Sequence, residues 1–174
     1  HLALQSGCDE VLHRMRRRYT TEEFRTACAL LRSAFPGCAI TTDVICGFPQ
    51  ETEEEFEKTC AFCKEIGFAR MHVFPYSART GTKAAQMSGQ VLKKVREERA
   101  RRLIAIGNDL SQAYHESLMG RTVEVLCEEI VDGLSTGYTD TYIPCRFTGG
   151  TPGRMARVRI TGITQDGVTG EMEA

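Results

Sequence analysis

The apolar positions change period several times along the chain. Between Leu2 and Ile106, short apolar or β-branched runs alternate with longer segments in which apolar residues recur every three or four positions. That rhythm predicts strands alternating with amphipathic helices, the βαβ arrangement of a parallel sheet. The predicted strands cover Leu2 to Gln5, Ala39 to Ile45 and Arg70 to Phe74. A helical patch is expected at Glu10 to Met15, and full helices at Thr21 to Ser33 and Glu53 to Ile66. Two helix starts carry a chemical mark, because Thr20 with Glu23 and Thr52 with Glu55 have capping-box spacing. Phe24, Cys28 and Leu31 share one face of the first helix; Phe56, Cys60 and Cys63 share one face of the second. Pro36-Gly37 and Gly67 stop these helices, and Pro75, which has no N–H to give a ladder, stops the third strand.

A long helix is expected from Ser88 to Leu118, with Leu92, Val95, Leu103, Ile106, Leu110 and Leu118 on its apolar stripe. Its other face carries Lys93, Lys94, Arg96, Arg99, Arg101 and Arg102 against Glu97 and Glu98, and reads either as solvated or as phosphate-facing. After Gly120 the pattern becomes short strands divided by Gly, Pro and Asp. They are marked at Thr122 to Glu129, Ser135 to Tyr138, Tyr142 to Phe147, Arg154 to Ile163 and Gly167 to Glu171. Such strands with hairpin turns like Gln165-Asp166-Gly167 predict a small antiparallel β-barrel. The expected domains are therefore 1–118 and 119–174.

Composition narrows this picture in three ways. At 174 residues and 41% apolar, the chain has material for one medium and one small core. A net charge of −1 excludes a global field as an argument for a nucleic-acid partner. The five basic and eight acidic residues from Met119 onward make the second part acidic, so RNA contact there must be local, through Arg154, Arg157 and Arg159. Eight cysteines with no disulfide-like spacing and no signal segment read as thiols of a reducing, cytoplasmic compartment. Cys60-Ala61-Phe62-Cys63 lies within a predicted helix and has no second pair at zinc spacing, so no metal ligand is assigned. No run is apolar enough to suggest a membrane. The chain opens on His1 and is at once strand-like, which reads as part of a longer protein.

No complete catalytic set is visible, and none is assigned. Polar groups do gather after each predicted strand: Gln5 and Ser6 after the first, Gly47 to Glu51 after the second, Tyr76, Ser77 and Arg79 after the third. In a parallel barrel these ends share one mouth. Gly47 leaves space there for a ligand to approach the backbone. Each residue also has a plain reading, Gln5 and Ser6 as strand-end polar groups, Glu51 as a first-turn helix acid, Tyr76 as a rim aromatic, Arg79 as a surface arginine.

The strings HLALQSGCDEVLHRMRRRYT, TTDVICGFPQETEEEF and HVFPYSARTGTKAAQM resemble the second half of a radical S-adenosylmethionine methylthiotransferase. The later GRTVEVLCEE, GYTDTYIPCRF and RMARVRITGIT resemble that family's TRAM barrel. The wording around Ile40 to Asp43 and His72 to Met87 is most similar to the branch acting on tRNA that bears N6-threonylcarbamoyladenosine beside the anticodon. The resemblance implies an α/β fold, the C-terminal half of a partial (β/α)6 radical barrel followed by the TRAM barrel. It implies methylthiolation of that adenosine, with S-adenosylmethionine and 4Fe-4S clusters as cofactors and tRNA and an N-terminal part of the same protein as partners. The sister activity on a ribosomal-protein aspartate, and a non-catalytic RNA-binding module, are the alternatives. None of the eight cysteines has the family's Cys-x3-Cys-x2-Cys spacing, so the cluster ligands are expected elsewhere and this chain alone is expected to be inactive. By the same resemblance Gln5, Ser6, Gly47, Pro49, Glu51, Tyr76 and Arg79 are cofactor-binding, with Gly47 to Glu51 passing the adenine. Asp43 stands where the general radical-enzyme pattern has a glycine, and Glu51 lies one place beyond its glutamate.

Overall fold

In the computed structural model, which describes residues 1–173, the chain forms two compact units, His1–Ser111 and Gln112–Ala174. The break falls inside a helix, upstream of the expected Leu118 boundary.

The first unit contains α1 (Asp9–Arg14), α2 (Thr21–Ala34), β1 (Thr41–Cys46), α3 (Glu53–Ile66), β2 (Arg70–Pro75), α4 (Lys83–Gln86) and most of α5 (Lys93–Glu116). β1 and β2 pair in parallel, with Asp43 opposite His72 and Ile45 opposite Phe74. The expected strand at Leu2 to Gln5 is corrected to a single parallel bridge, Gln5 to Val44. The segment still runs beside β1: Leu2 and Gln5 N–H groups donate to Thr41 and Asp43 carbonyls, and Ile45 N–H donates to Gln5. With a neighbour on one side only, and Gln5 twisted to φ +66°, it ends before a ladder is established.

Both capping boxes form, each worth about 1 kcal/mol. Gly67 ends α3 in the left-handed region, and Arg32 from α2 donates to the Ile66 and Gly67 carbonyls at 2.6 and 2.8 Å. The core joins Leu4, Phe24, Val44, Phe56, Phe68 and Leu103. α1 closes differently from α3. Arg16 N–H donates to His13 O and Arg17 N–H to Leu12 O, a complete Schellman motif, yet its left-handed position (φ +59°) is an arginine. A side chain there costs about 1–2 kcal/mol relative to glycine.

α5 is shorter than the predicted Ser88 to Leu118 helix. Gly89 takes φ +69°, and Leu92, expected on the buried stripe, is 74% exposed ahead of the first turn. The expected charged face is also corrected. Arg99 is buried and bound to Glu51 and Glu53, Arg102 to Glu53 and Glu57, and Arg96 to the Tyr76 carbonyl. Arg99 and Arg102 also lie over the Phe56 ring. Glutamates around the start of α3 take up Arg99 and Arg102, and the Tyr76 carbonyl takes Arg96, so these three face the protein and not a phosphate, while Lys93, Lys94 and Arg101 stay exposed.

The second unit is a closed five-stranded barrel in the order β3 (Thr122–Val131), β4 (Leu134–Thr139), β5 (Pro144–Thr148), β7 (Val168–Met172), β6 (Met155–Ile163), with β6 closing on β3. The antiparallel expectation is corrected at one seam, because β5 and β7 pair in parallel. The β6–β7 hairpin slides β7 between β5 and β6, so closure removes every edge at the cost of that one seam. Val125, Phe147, Val158, Ile160 and Val168 fill the interior. Gly137 has no room for a side chain, since a Cβ there would meet Leu126 O at 1.8 Å. No helix among the described residues is long and apolar enough to cross a membrane.

Candidate functional site

β1 alternates strictly: Thr42, Val44 and Cys46 are buried, while Thr41, Asp43 and Ile45 are half-buried on the other face. The parallel register sets His72 and Phe74 beside Asp43 and Ile45. At the carboxyl ends of these strands lies a cavity of about 490 Å³, lined by Gln5, Asp43, Ile45, Tyr76, Ser77 and Arg79 among others. Of the three segments that the sequence placed at a common mouth, the first and third line this cavity, through Gln5 and through Tyr76, Ser77 and Arg79, while β1 contributes Asp43 and Ile45 and not the Gly47 to Glu51 turn.

The mouth is held from behind. Tyr76 N–H donates to Cys46 O at 2.8 Å, and Arg96 donates to the Tyr76 carbonyl. The Tyr76 ring meets Phe48 edge-on, with centroids 5.3 Å apart. Its hydroxyl is buried and has no hydrogen-bond partner among the described residues, a costly state. Gln5 Oε1 accepts from Arg17 at 2.8 Å, which fixes the amide's orientation.

The other four residues named from the sequence do not line this cavity. Ser6 is buried and its Oγ lies 3.1 Å from Thr59 Oγ1, tying the chain to α3. Pro49 is buried. Gly47, at φ +71°, leaves a space that the Arg96 side chain fills, with Arg96 Cγ 2.3 Å from where a Cβ would sit. Gly47 N–H donates to Glu51 Oε2 at 2.6 Å, and the same oxygen accepts from Arg99 at 2.8 Å. Burial pushes the Glu51 carboxyl upward, against the pull of Gly47 and Arg99. The Gly47 to Glu51 turn is thus an internal brace, and its link to the mouth runs through Arg96 and Tyr76.

Sequence reasoning passed over two residues of the mouth region. Asp43 Oδ1 and Oδ2 lie 3.3 Å from His72 Nδ1 and 3.4 Å from His1 Nε2. The β1–β2 register is what brings His72 to this carboxylate.

Among the described residues no three His, Cys, Asp or Glu side chains form a metal site. All eight cysteines are free and all but Cys38 are buried. Burial pushes the Cys46 and Cys63 thiols up to about 12, and those of Cys8, Cys60 and Cys145 to about 11.

On the barrel, Arg154, Arg157 and Arg159 are exposed, with buried Val158 between the last two. Acids offset the pair: Glu124 stands opposite Arg157 and Glu171 opposite Arg159, and Arg157 lies 3.7 Å from Glu173.

Residues 1–63 match the family model of the radical SAM superfamily. Over 167 residues the chain is 44% identical to the threonylcarbamoyladenosine tRNA methylthiotransferase MtaB of Bacillus subtilis, covering 92% of this chain and 37% of the relative. The Thermotoga maritima protein of that name is 36% identical over 97% of the chain and 39% of its own length. A tRNA-2-methylthio-N(6)-dimethylallyladenosine synthase of Streptomyces viridosporus is 46% identical over 74% of the chain and 26% of its own length. The chain therefore spans less than two fifths of the length of these curated relatives.

Proposed function

Because this chain belongs to the radical S-adenosylmethionine methylthiotransferase family, we propose that it forms part of an enzyme that methylthiolates N6-threonylcarbamoyladenosine in tRNA, next to the anticodon. The single observation that carries the substrate is the 44% identity to a relative of that name over 92% of the chain. The family implies S-adenosylmethionine and a 4Fe-4S cluster in the whole enzyme.

The residues fit these two groups unequally. The mouth offers what a zwitterionic nucleoside requires: the Asp43 carboxylate, the Gln5 amide and the Arg79 guanidinium. Bound there, S-adenosylmethionine would supply the hydrogen-abstracting radical that no amino-acid side chain provides. Arg79 would bind its carboxylate, and Gln5, oriented by Arg17, would hold its polar atoms. Phe48, Tyr76 and the Arg96 brace would keep that wall in place. Ser6, Gly47, Pro49 and Glu51 serve the wall indirectly, as its packing. The iron–sulfur cluster has no fit among the described residues, and its ligands are assigned outside this sequence. The chain by itself is accordingly proposed to be inactive.

The barrel is proposed to be a TRAM module, with the domains dividing near 118. Arg154, which has no ion pair among the described residues, is its most available RNA contact, ahead of Arg157 and Arg159. Nucleoside mass spectrometry tests the substrate. tRNA from a methylthiolation-deficient bacterium that expresses the whole protein carrying this segment should gain the methylthio form of threonylcarbamoyladenosine. Gain of methylthio-dimethylallyladenosine, or of a methylthio-aspartate in a ribosomal protein, would replace the proposal with one of the sister activities.

A further inference from the structure

Beside the mouth lies a second concavity, of about 740 Å³, of whose lining only Arg17 and Phe48 serve in the proposed cofactor wall. Its basic lining is His13, Arg14, Arg16, Arg17 and Lys83, over an apolar floor that includes Phe48, and no acidic residue lines it. Arg14 is engaged, since it makes a two-pronged pair with Glu55 at 3.0 and 2.6 Å. Arg16, Arg17 and Lys83 have no ion pair among the described residues, in a unit where Arg25, Arg99 and Arg102 are each bound to carboxylates.

Two observations separate this cradle from an ordinary solvated turn. Cations near the end of α1 suit the helix dipole, but that does not explain Arg16 in the left-handed position, where glycine costs least. An outlier retained against local preference points to use. Lys83 reaches the same concavity from a different element, the start of α4, so the convergence is not a property of the α1 end. The cradle is also continuous with the mouth. Ala84 lines both cavities, and Arg17 donates to the Gln5 amide that lines the mouth.

We propose that His13, Arg16, Arg17 and Lys83 bind backbone phosphates of the RNA strand flanking the nucleotide presented to the mouth. This rests on the reading of RNA as the substrate and adds the surface that holds it. Cations that line a concavity without acidic partners contact phosphate charge and not base edges, so the contribution is independent of sequence and sensitive to salt. In the barrel, by contrast, the offsetting acids leave Arg157 little charge to offer.

The test measures fluorescence anisotropy of a labelled anticodon stem–loop RNA with the full 174-residue chain over a salt series. Arg16→Gly removes a charge while suiting the left-handed backbone, so lost folding cannot imitate lost binding. Arg16→Gly and Lys83→Gln should each weaken binding several-fold and reduce the slope of log affinity against log salt by about 0.7. Arg25→Gln, which removes a cation outside the cradle already paired with Glu22 and Glu65, should leave the slope unchanged. Wild-type RNA binding with an unaltered slope in both cradle variants would overturn the cradle and leave the tRNA reading intact. Absence of RNA binding by the wild type, or binding of an acidic peptide in its place through the same residues, would overturn both.

Discussion

Replacing Arg99 by methionine tests the brace behind the mouth. Arg99 and Glu51 side chains are 6% and 1% exposed, and the guanidinium donates to both the Glu51 carboxylate and the Glu51 carbonyl, at 2.8 and 3.0 Å. Methionine keeps much of the volume over Phe56 but leaves a buried carboxylate with Gly47 N–H as its one strong partner. Breaking such a pair costs about 3–5 kcal/mol, and because Glu51 escapes part of that cost by taking up a proton, about 3 kcal/mol is expected near pH 7. The sign of the pH dependence follows. Burial already holds the Glu51 carboxyl above its ordinary range, and loss of Arg99 raises it further. The folded variant then keeps a proton that the unfolded chain releases, so its stability falls as pH rises from the ordinary carboxylate value to the raised one. Urea unfolding followed by helical circular dichroism should show a deficit that grows as pH rises above the ordinary carboxylate range. A deficit under about 1 kcal/mol, or one flat over that rise in pH, would refute the buried-pair account.

Three further outcomes are expected. Gly47→Ala meets both a left-handed backbone (φ +71°) and the Arg96 side chain, so it should cost about 2–3 kcal/mol in urea unfolding and perturb Tyr76 amide shifts. Gly137→Ala places a Cβ against Leu126 O and should abolish or destabilise the barrel by more than about 3 kcal/mol, read as loss of protected β amides in hydrogen exchange. Thiol alkylation at mildly alkaline pH, followed by peptide mass spectrometry, should modify half-buried Cys38 well before Cys46 and Cys63, whose thiols lie near 12.

Local chemistry was the legible part of this fold. Thr52 and Glu55 mark the start of α3 because a capping box is a contact between residues three apart, and Gly67 marks its end for a similarly local reason. The meeting of Gln5, Tyr76 and Arg79 was legible from strand order, since parallel strands deliver their carboxyl ends to one side. What failed depends on long-range pairing. The Arg99–Glu51 pair spans 48 positions, so a helix face that looked solvated is in part interior. The Asp43–His72 contact needs the β1–β2 register, and the parallel β5–β7 seam needs a topology that hairpin patterns cannot specify. The Schellman geometry at Arg16 escaped notice because glycine, the usual marker of that position, is absent.

The central claim is that the cofactor wall is the cavity of Gln5, Tyr76 and Arg79, with the Glu51 turn as its brace. Amide chemical-shift mapping of the isotope-labelled chain during titration with S-adenosylmethionine tests this directly. The account predicts shifts at Gln5, Ile45, Tyr76, Ser77 and Arg79, attenuated in Arg79→Ala, with Glu51 and Thr59 silent. Shifts centred on Glu51 and Arg99, or no shifts at millimolar ligand, would contradict it.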